Sequence, residues 1–204
     1  MKIAIIDSGI HRGHPHVGDI AGAVAIMPEG ESADATDRLG HGTAVAGAIR
    51  EKAPDAELYA VKVFDRRLTA TIDVIIRALE WCRDHEMDVV NLSLGTKNPA
   101  HRDRFLRVLD DRLLVVSAAG ALPGSLPMVI GVAGDPECPR DVFRYHDEVF
   151  YASPYPRPIP GVPLDRNLHG VSFAVANMTG LVARALEHSS PTEIRETLLA
   201  RCAR

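Results

Sequence analysis

Short runs of apolar residues, bounded by glycine or polar residues, recur along the chain. They predict β-strands over residues 2–7, 56–64, 88–95, 113–120 and 127–134. Several of these runs are almost continuously apolar, which is typical of parallel strands that are buried on both faces of a sheet.

Segments with apolar residues at helical spacing lie between and after these runs. They predict helices over residues 42–53, 72–85, 100–111, 172–188 and 190–203. In the last segment we expect Ser190 or Thr192 to cap the helix, with Pro191 in its first turn. Residues 135–169 are rich in proline and aromatic residues and predict irregular loops with one or two short strands. The alternation predicts a three-layer α/β fold, in which helices cover both faces of a doubly wound, mostly parallel sheet.

Length and composition narrow the class of protein. The 204 residues, of which 46% are hydrophobic and 25% charged, fit one soluble domain over residues 1–204. A net charge of -4 without a Lys/Arg run argues against a nucleic-acid partner. No apolar run reaches the roughly 18 residues that a membrane span needs. The first residues lead directly into a strand with no signal-peptide pattern, so we expect a cytoplasmic protein without a prodomain. The oligomeric state stays open.

Metal and cofactor sites are not indicated by the sequence. The chain contains three scattered cysteines, Cys82, Cys138 and Cys202. Their spacing fits neither a disulfide framework nor a zinc site, and we expect free thiols that pack as small apolar residues. The segment HRGHPH, with its three histidines at 11, 14 and 16, fits a loop better than a zinc pattern. No G-x-G-x-x-G or P-loop motif follows the first strand, which argues against a nucleotide-binding domain. We expect no cofactor.

Three polar residues lie where chemistry is expected in such a fold. Asp7 ends the first predicted strand, His41 lies between glycines where a helix begins, and Ser172 starts a long helix. Ligands of α/β sheets bind beyond the carboxyl ends of the strands. A helix N-terminus also favours developing negative charge at Ser172. Acyl transfer needs these three groups: a serine that attacks, a histidine that takes its proton, and an aspartate that orients the histidine.

The motifs around these residues resemble those of the subtilisin-like serine peptidases, and they occur in the same order along the chain. AIIDSGIHRGHPHV resembles the aspartate motif of that family, DRLGHGTAVAG its histidine motif and GVSFAVANMTGLVARAL its serine motif. APDAELYAVKVF and VVNLSLG resemble two segments that lie between them. The order Asp, His, Ser is the order of the family. The resemblance implies that Ser172 is the nucleophile, His41 the general base and Asp7 the residue that orients it, in a serine endopeptidase.

The resemblance also implies a cleft for an extended peptide. Ser93, Leu94 and Gly95 would pair with the substrate backbone, and the P1 side chain would rest between Leu94 and a second wall. That wall consists of Ala118, Ala119 and Gly120.

The chain departs from the family where the oxyanion is held. Ala121 replaces the usual asparagine and Val171 the usual threonine, which leaves the backbone N–H of Ser172 as the evident donor. His169 and Asn167 are the nearest polar replacements in sequence. The family's proline four residues after the serine is Ala176 here, the calcium-binding loop after the histidine motif is missing, and His16 replaces the aspartate after His-Pro. We therefore expect no calcium at that site.

Three functions remain open at this point. The chain can be a serine endopeptidase that processes a dedicated peptide or protein substrate. It can be a peptide-binding relative without hydrolysis, although the presence of all three residues argues against that. It can be an acyl-transfer relative, a ligase or macrocyclase, in which an amine rather than water takes the acyl group.

Overall fold

The computed structural model describes residues 1–110 and 113–202. The strands are β1 (Lys2–Asp7), β2 (Gly22–Met27), β3 (Gly30–Ser32), β4 (Glu57–Lys62), β5 (Val89–Leu92), β6 (Leu114–Ala118), β7 (Ile130–Gly134), β8 (Phe143–His146) and β9 (Val149–Ala152). The helices are α1 (His41–Lys52), α2 (Ile72–Asp84), α3 (Arg102–Val108), α4 (Val171–Leu186) and α5 (Ile194–Arg201). Short 3-10 turns cover Pro99–His101 and Leu164–Arg166.

The strands form one sheet of nine in the order β3-β2-β4-β1-β5-β6-β7-β9-β8. Seven neighbouring strands, from β2 to β9 in this order, pair in parallel, and only the outermost pairs β2–β3 and β8–β9 are antiparallel. The neighbours of β1 are β4 on one side and β5 on the other, so the strand order reverses at β1. In doubly wound folds, ligands bind in the crevice at the carboxyl ends of the strands where this reversal occurs.

Alternation along β1 shows how the sheet separates two cores. Ile3 and Ile5 pack in one core with residues of α1, α4 and α5, whereas Ala4 and Ile6 pack in the other with residues of α2 and α3. Successive side chains of a strand point to opposite faces, so an apolar run without polar interruption is what a strand covered on both sides requires. The predicted three-layer α/β fold is confirmed.

Several boundaries differ from the sequence-based expectations. The strand β1 has its predicted bounds, the other four predicted strands are present but shorter, and β2 and β3 were not predicted. The loop-rich region 135–169 does contain two short strands, β8 and β9. The helix predicted over residues 100–111 is a 3-10 turn followed by α3, and residue 111 lies outside the described residues.

The expected cap of the last helix was wrong. The helix α5 begins only at Ile194, and no side chain caps it. The Ser190 hydroxyl instead donates to the Glu193 carboxylate at 2.7 Å and lies 3.0 Å from the Thr192 hydroxyl. These residues form a turn closed by the Glu193 N–H and the Ser190 carbonyl, so they do not reach the helix N-terminus. Residue 203, the end of the predicted helix, lies outside the described residues.

Candidate active site

Asp7 and His41 meet at the carboxyl end of β1. Asp7 is the last residue of β1 and is 1% exposed, and His41 is the first residue of α1. Its Nδ1 lies 2.7 Å from Asp7 Oδ1, which also accepts the Ser8 N–H at 2.7 Å. An ionised carboxylate only accepts hydrogen bonds, so Nδ1 carries the proton and the lone pair of the neutral ring lies on Nε2.

The glycines on either side of His41 let its helix approach the strand this closely. A Cβ on Gly42 would lie 2.2 Å from the Gly9 carbonyl oxygen and 3.2 Å from Asp7 Oδ1. Gly40, just before the helix, has a φ of 76°, in the left-handed region that glycine adopts without strain. In the pattern G-H-G, the first glycine therefore allows the turn and the second allows the close approach that positions the histidine.

Asp37 holds the loop that precedes the histidine. Its Oδ1 accepts the Ser8 hydroxyl at 2.8 Å and the N–H groups of Leu39 and Gly40 at 3.0 and 2.9 Å. Its Oδ2 accepts the Thr43 N–H at 2.9 Å and the Thr43 hydroxyl at 2.6 Å. One carboxylate thus joins the end of β1 to both flanks of His41. Sequence reasoning missed this role, although the D-R-L-G-H spacing of a carboxylate before a helix start could have indicated it.

The pKa of His41 is raised above its usual 6.5 by a balance of opposing effects. Burial lowers this pKa, but the hydrogen bond and the negative charge of Asp7 raise it, and the charge of Asp37 adds to them. The site therefore favours a proton on this imidazole more than water does, which is the property of a base that must become an imidazolium during a reaction.

Ser172 is the second residue of α4, beside the histidine but not bonded to it. Its hydroxyl donates to the Ser93 carbonyl at 3.4 Å, and among the described residues no hydrogen bond joins it to His41. The ring of the next residue, Phe173, packs against the His41 ring with 5.4 Å between centroids. The Ser172 N–H lies in the first helical turn, where backbone donors have no partner within the helix.

Two of the residues expected to bind a peptide border a small cavity. Ser93, Leu94 and Gly95 follow β5 directly, and Leu94 packs on the core that lies against α2 and α3. Leu94 and Gly95, with Thr96, also line a cavity of about 130 Å³ that Ile75 and Phe105 border from below.

The other expected wall follows the next strand of the sheet. Ala118 ends β6, and Ala119 donates its N–H to Val132 O at 2.9 Å, with Gly120 next in the chain. A Cβ on Gly120 would meet no atom within 4 Å, so this wall is open toward solvent at that point.

Ala121 and its possible replacements each have other neighbours in the structure. A Cβ on Gly95 would come within 2.8 Å of the Ala121 methyl group, so Ala121 packs against the end of the Ser93–Gly95 segment. Asn167 Nδ2 donates to the Arg157 carbonyl at 3.5 Å, and His169 Nδ1 lies 3.3 Å from the Asn167 carbonyl. In the described part of the chain, no hydrogen bond joins either side chain to Ser172.

Among the side chains that the structure describes, no three of His, Cys, Asp or Glu lie close enough together to hold a metal ion. The three histidines of HRGHPH pack edge to face in a loop, where His14 Nδ1 accepts the His16 N–H at 3.2 Å. The three cysteines are free, and burial raises the pKa of the Cys82 thiol, which is inert.

Of the helices described, none combines the length and the apolar character that crossing a bilayer demands.

Known proteins share both the motifs and the fold. The model of the Subtilase family matches residues 1–134. Subtilisin E of Bacillus subtilis is 36% identical over 131 residues, which are 59% of this chain and 34% of that protein. Subtilisin Savinase of Lederbergia lenta is 37% identical over 131 residues, which are 59% of this chain and 47% of that protein. This chain therefore matches less than half the length of either relative.

A solved structure extends the likeness in fold to almost the whole chain. The crystal structure of a cold adapted subtilisin-like serine proteinase superimposes with a TM-score of 0.72 and 19% sequence identity, over 96% of this chain and 79% of that one. At this identity the likeness concerns the fold alone. The family model, in contrast, matches most of the sequence, including the segments that carry Asp7 and His41. The chain belongs to the subtilase family.

Proposed function

We propose that this chain is a serine endopeptidase, in which Asp7, His41 and Ser172 cleave peptide bonds through an acyl-enzyme. The observation that carries the proposal is the 2.7 Å hydrogen bond between the buried Asp7 and the partly buried His41, in a fold that also provides a serine at a helix N-terminus. Relatives in the same family are, by their names, subtilisins and proteases. The family match, which covers the segments of Asp7 and His41, supports the proposal, and the chemistry of the three groups extends it to Ser172.

The reaction begins when the Ser172 hydroxyl turns from the Ser93 carbonyl to His41 Nε2. The present bond, at 3.4 Å, is long for a hydroxyl donor and is given up easily. His41 takes the proton as Oγ attacks the substrate carbonyl carbon, and Asp7 stabilises the imidazolium that forms. His41 then gives the proton to the leaving amine. A water molecule, deprotonated by His41, attacks the acyl-enzyme and releases Ser172.

The negative oxygen of the tetrahedral intermediate needs hydrogen-bond donors. The Ser172 N–H and the positive end of the α4 dipole serve it. Ala121 and Val171 carry no polar side-chain atom, so this site has fewer donors than the family pattern supplies. Loss of one donor of this kind typically lowers kcat by roughly 10²–10³. We therefore propose a slow enzyme with a dedicated substrate.

The substrate is a peptide or protein segment in extended form. It adds a strand along Ser93–Gly95, where backbone groups provide affinity and side-chain pockets provide selectivity. Leu94 and the segment Ala118–Gly120 border the P1 side chain in this arrangement.

An acyl-transfer reaction is the second candidate, favoured by the missing oxyanion donors and the open wall at Gly120. The acyl-enzyme is the same, but a peptide amine takes the place of water. Mass spectrometry of products formed with and without an added amine nucleophile separates the two: free acid is the product of the peptidase, and amide that of the transferase.

A fluorophosphonate probe, located by mass spectrometry, tests the proposed nucleophile. We expect the adduct on Ser172, with no labelling of Ser172→Ala and full labelling of Ser32→Ala, a change at an exposed serine on β3. Circular dichroism checks that each variant is folded. An adduct on Ser8 or Ser93, or an unlabelled folded wild type, would overturn the proposal.

A further inference from the structure

We propose that Thr179 and Asn91 are positioning residues that orient the nucleophile through Ser93. This inference rests on the proposed function of Ser172 and adds to it two residues that the peptide does not touch. Neither residue was a candidate at the level of sequence, and the structure connects them to the nucleophile by hydrogen bonds.

Asn91 and Thr179 are polar residues in the middle of an apolar core. Both are 0% exposed, Asn91 on the central strand β5 and Thr179 on α4. Asn91 pairs in register with Ile5 of β1 on one side and with Val116 of β6 on the other. Asparagine is disfavoured in strands, and a buried amide is costly unless every polar atom finds a partner. The partners that it finds therefore indicate why it is here.

Hydrogen-bond contacts lead from Thr179 through Asn91 and Ser93 to the backbone of the nucleophile. The Thr179 hydroxyl lies 3.1 Å from Asn91 Oδ1 and also 2.8 Å from the Val175 carbonyl, to either of which its single hydrogen can be donated. Asn91 Nδ2 donates to Ser93 Oγ at 3.0 Å. An amide nitrogen only donates, so Ser93 Oγ accepts from it and keeps its own hydrogen for the Ser172 carbonyl, 3.1 Å away.

Ser93 and Ser172 are joined in both directions by this arrangement. The Ser93 hydroxyl donates to the Ser172 carbonyl, and the Ser172 hydroxyl donates to the Ser93 carbonyl. The first bond persists when the nucleophile turns to its base, because it uses the backbone of Ser172 and not its hydroxyl. It fixes the start of α4 against the end of β5.

The register of the sheet explains why this bond sets the distance to the base. β1 and β5 are neighbours, with Ile6 opposite Leu92. Asp7, which holds His41, and Ser93, which holds Ser172, are each the next residue after that pair. Acid and nucleophile are therefore both fixed to adjacent strand ends, and a shift of about 1 Å at such a site can change a rate by 10².

The test compares Thr179→Val, which has nearly the same shape without the hydroxyl, with Thr179→Ser, which restores it. We expect Thr179→Val to lower kcat and the rate of fluorophosphonate labelling about tenfold, the effect of one hydrogen bond of ordinary strength. KM and the pH midpoint of kcat/KM should stay at their wild-type values, because the cleft and the Asp7–His41 pair are intact. Thr179→Ser should recover most of the rate. Thr179→Ala removes the same hydroxyl without a new methyl group and gives an independent measurement.

Val182→Ala is the matched control, since Val182 is fully buried on the same helix and takes part in none of these hydrogen bonds. We expect it to lower the melting temperature while kcat keeps its wild-type value. Equal labelling rates of wild type, Thr179→Val and Thr179→Ala would overturn the inference and leave the proposed function standing. A fall in kcat in Val182→Ala as large as that in Thr179→Val would also overturn it, because stability alone would then explain the effect. A wild type that is not labelled refutes the proposed function itself.

Discussion

Asp37 offers a sharp test of how the His41 loop is held, through the single change Asp37→Asn. The variant keeps one carbonyl oxygen, which can still accept the three bonds that now reach Oδ1, from Ser8, Leu39 and Gly40. The other oxygen becomes an amide group that only donates. It would face the N–H and the hydroxyl of Thr43, which now donate to Oδ2 at 2.9 and 2.6 Å.

The expected loss follows from these contacts. Two hydrogen bonds to a charged acceptor disappear, and the Thr43 N–H is left facing another donor. Each such bond is worth about 1.5–3 kcal/mol when buried, and Asp37 is only half-buried, so we expect Asp37→Asn to lower the free energy of unfolding by about 2–3 kcal/mol. The activity should fall as well, because Gly40 and Thr43 flank the base.

Urea unfolding followed by circular dichroism measures this loss, with Asp34→Asn as control. Asp34 lies in the same loop, but it is exposed and pairs with Arg38 on the surface, where an ion pair contributes little. We expect the control to keep nearly the wild-type stability and full activity. If both variants lose the same stability, the reasoning from the Asp37 contacts is refuted.

The pH dependence of the same difference gives a second check. Burial raises the pKa of Asp37, but hydrogen bonds from the side chain and N–H of Thr43, from Leu39 and from Ser8 outweigh it and lower the pKa below its usual 3.8. A lowered folded-state pKa means that the carboxylate stabilises the fold fully above 3.8 and loses this effect as the pH falls through the folded value. The difference in stability between wild type and Asp37→Asn should therefore be constant at neutral pH and shrink in acid.

Three further outcomes are expected. Catalysis needs a neutral His41, whose pKa is raised above 6.5, so kcat/KM should fall on acidification with a midpoint above 6.5, and a lower midpoint would contradict the balance described at that ring. Ala121→Asn should raise kcat, by at most about 10²–10³, with little change in KM, because the oxyanion forms only in the transition state; a folded variant with an unchanged or lower rate would show that another group serves the oxyanion. EDTA should leave the melting temperature unchanged, and a drop of several degrees would reveal a metal site.

The sequence predicts the parts of the fold that depend on local pattern. Buried parallel strands need unbroken apolar runs, so β1 and its neighbours are visible directly. Asp7, His41 and Ser172 can be identified from sequence because each lies at the end of a strand or the start of a helix, within a recognisable motif. The strand β2 was missed although Gly22–Met27 is an apolar run of the same kind, and β3 was missed because its three residues are too few to show a pattern.

Contacts between distant residues lie beyond such patterns. Thr179 and Asn91 are 88 positions apart, and nothing in either local sequence distinguishes a bonded side chain from a polar residue that disturbs the core. The expected cap at Ser190 failed for a related reason, since a serine near a helix start can bond a neighbouring side chain instead.

The two margins of the sheet have a consequence for the behaviour of the protein in concentrated solution. Exposed strand edges act as templates on which other chains add strands and aggregate. Here the outermost strand on one side is β3, only three residues long and with Glu31 exposed, and on the other side it is β8, which carries Arg144 and the exposed His146. Short, charged edges of this kind resist edge-to-edge association. An extended segment of another molecule has few backbone groups to pair with at these two edges. The protein is proposed to bind extended peptides in its cleft, but the edges of its sheet disfavour the same kind of pairing between its own copies.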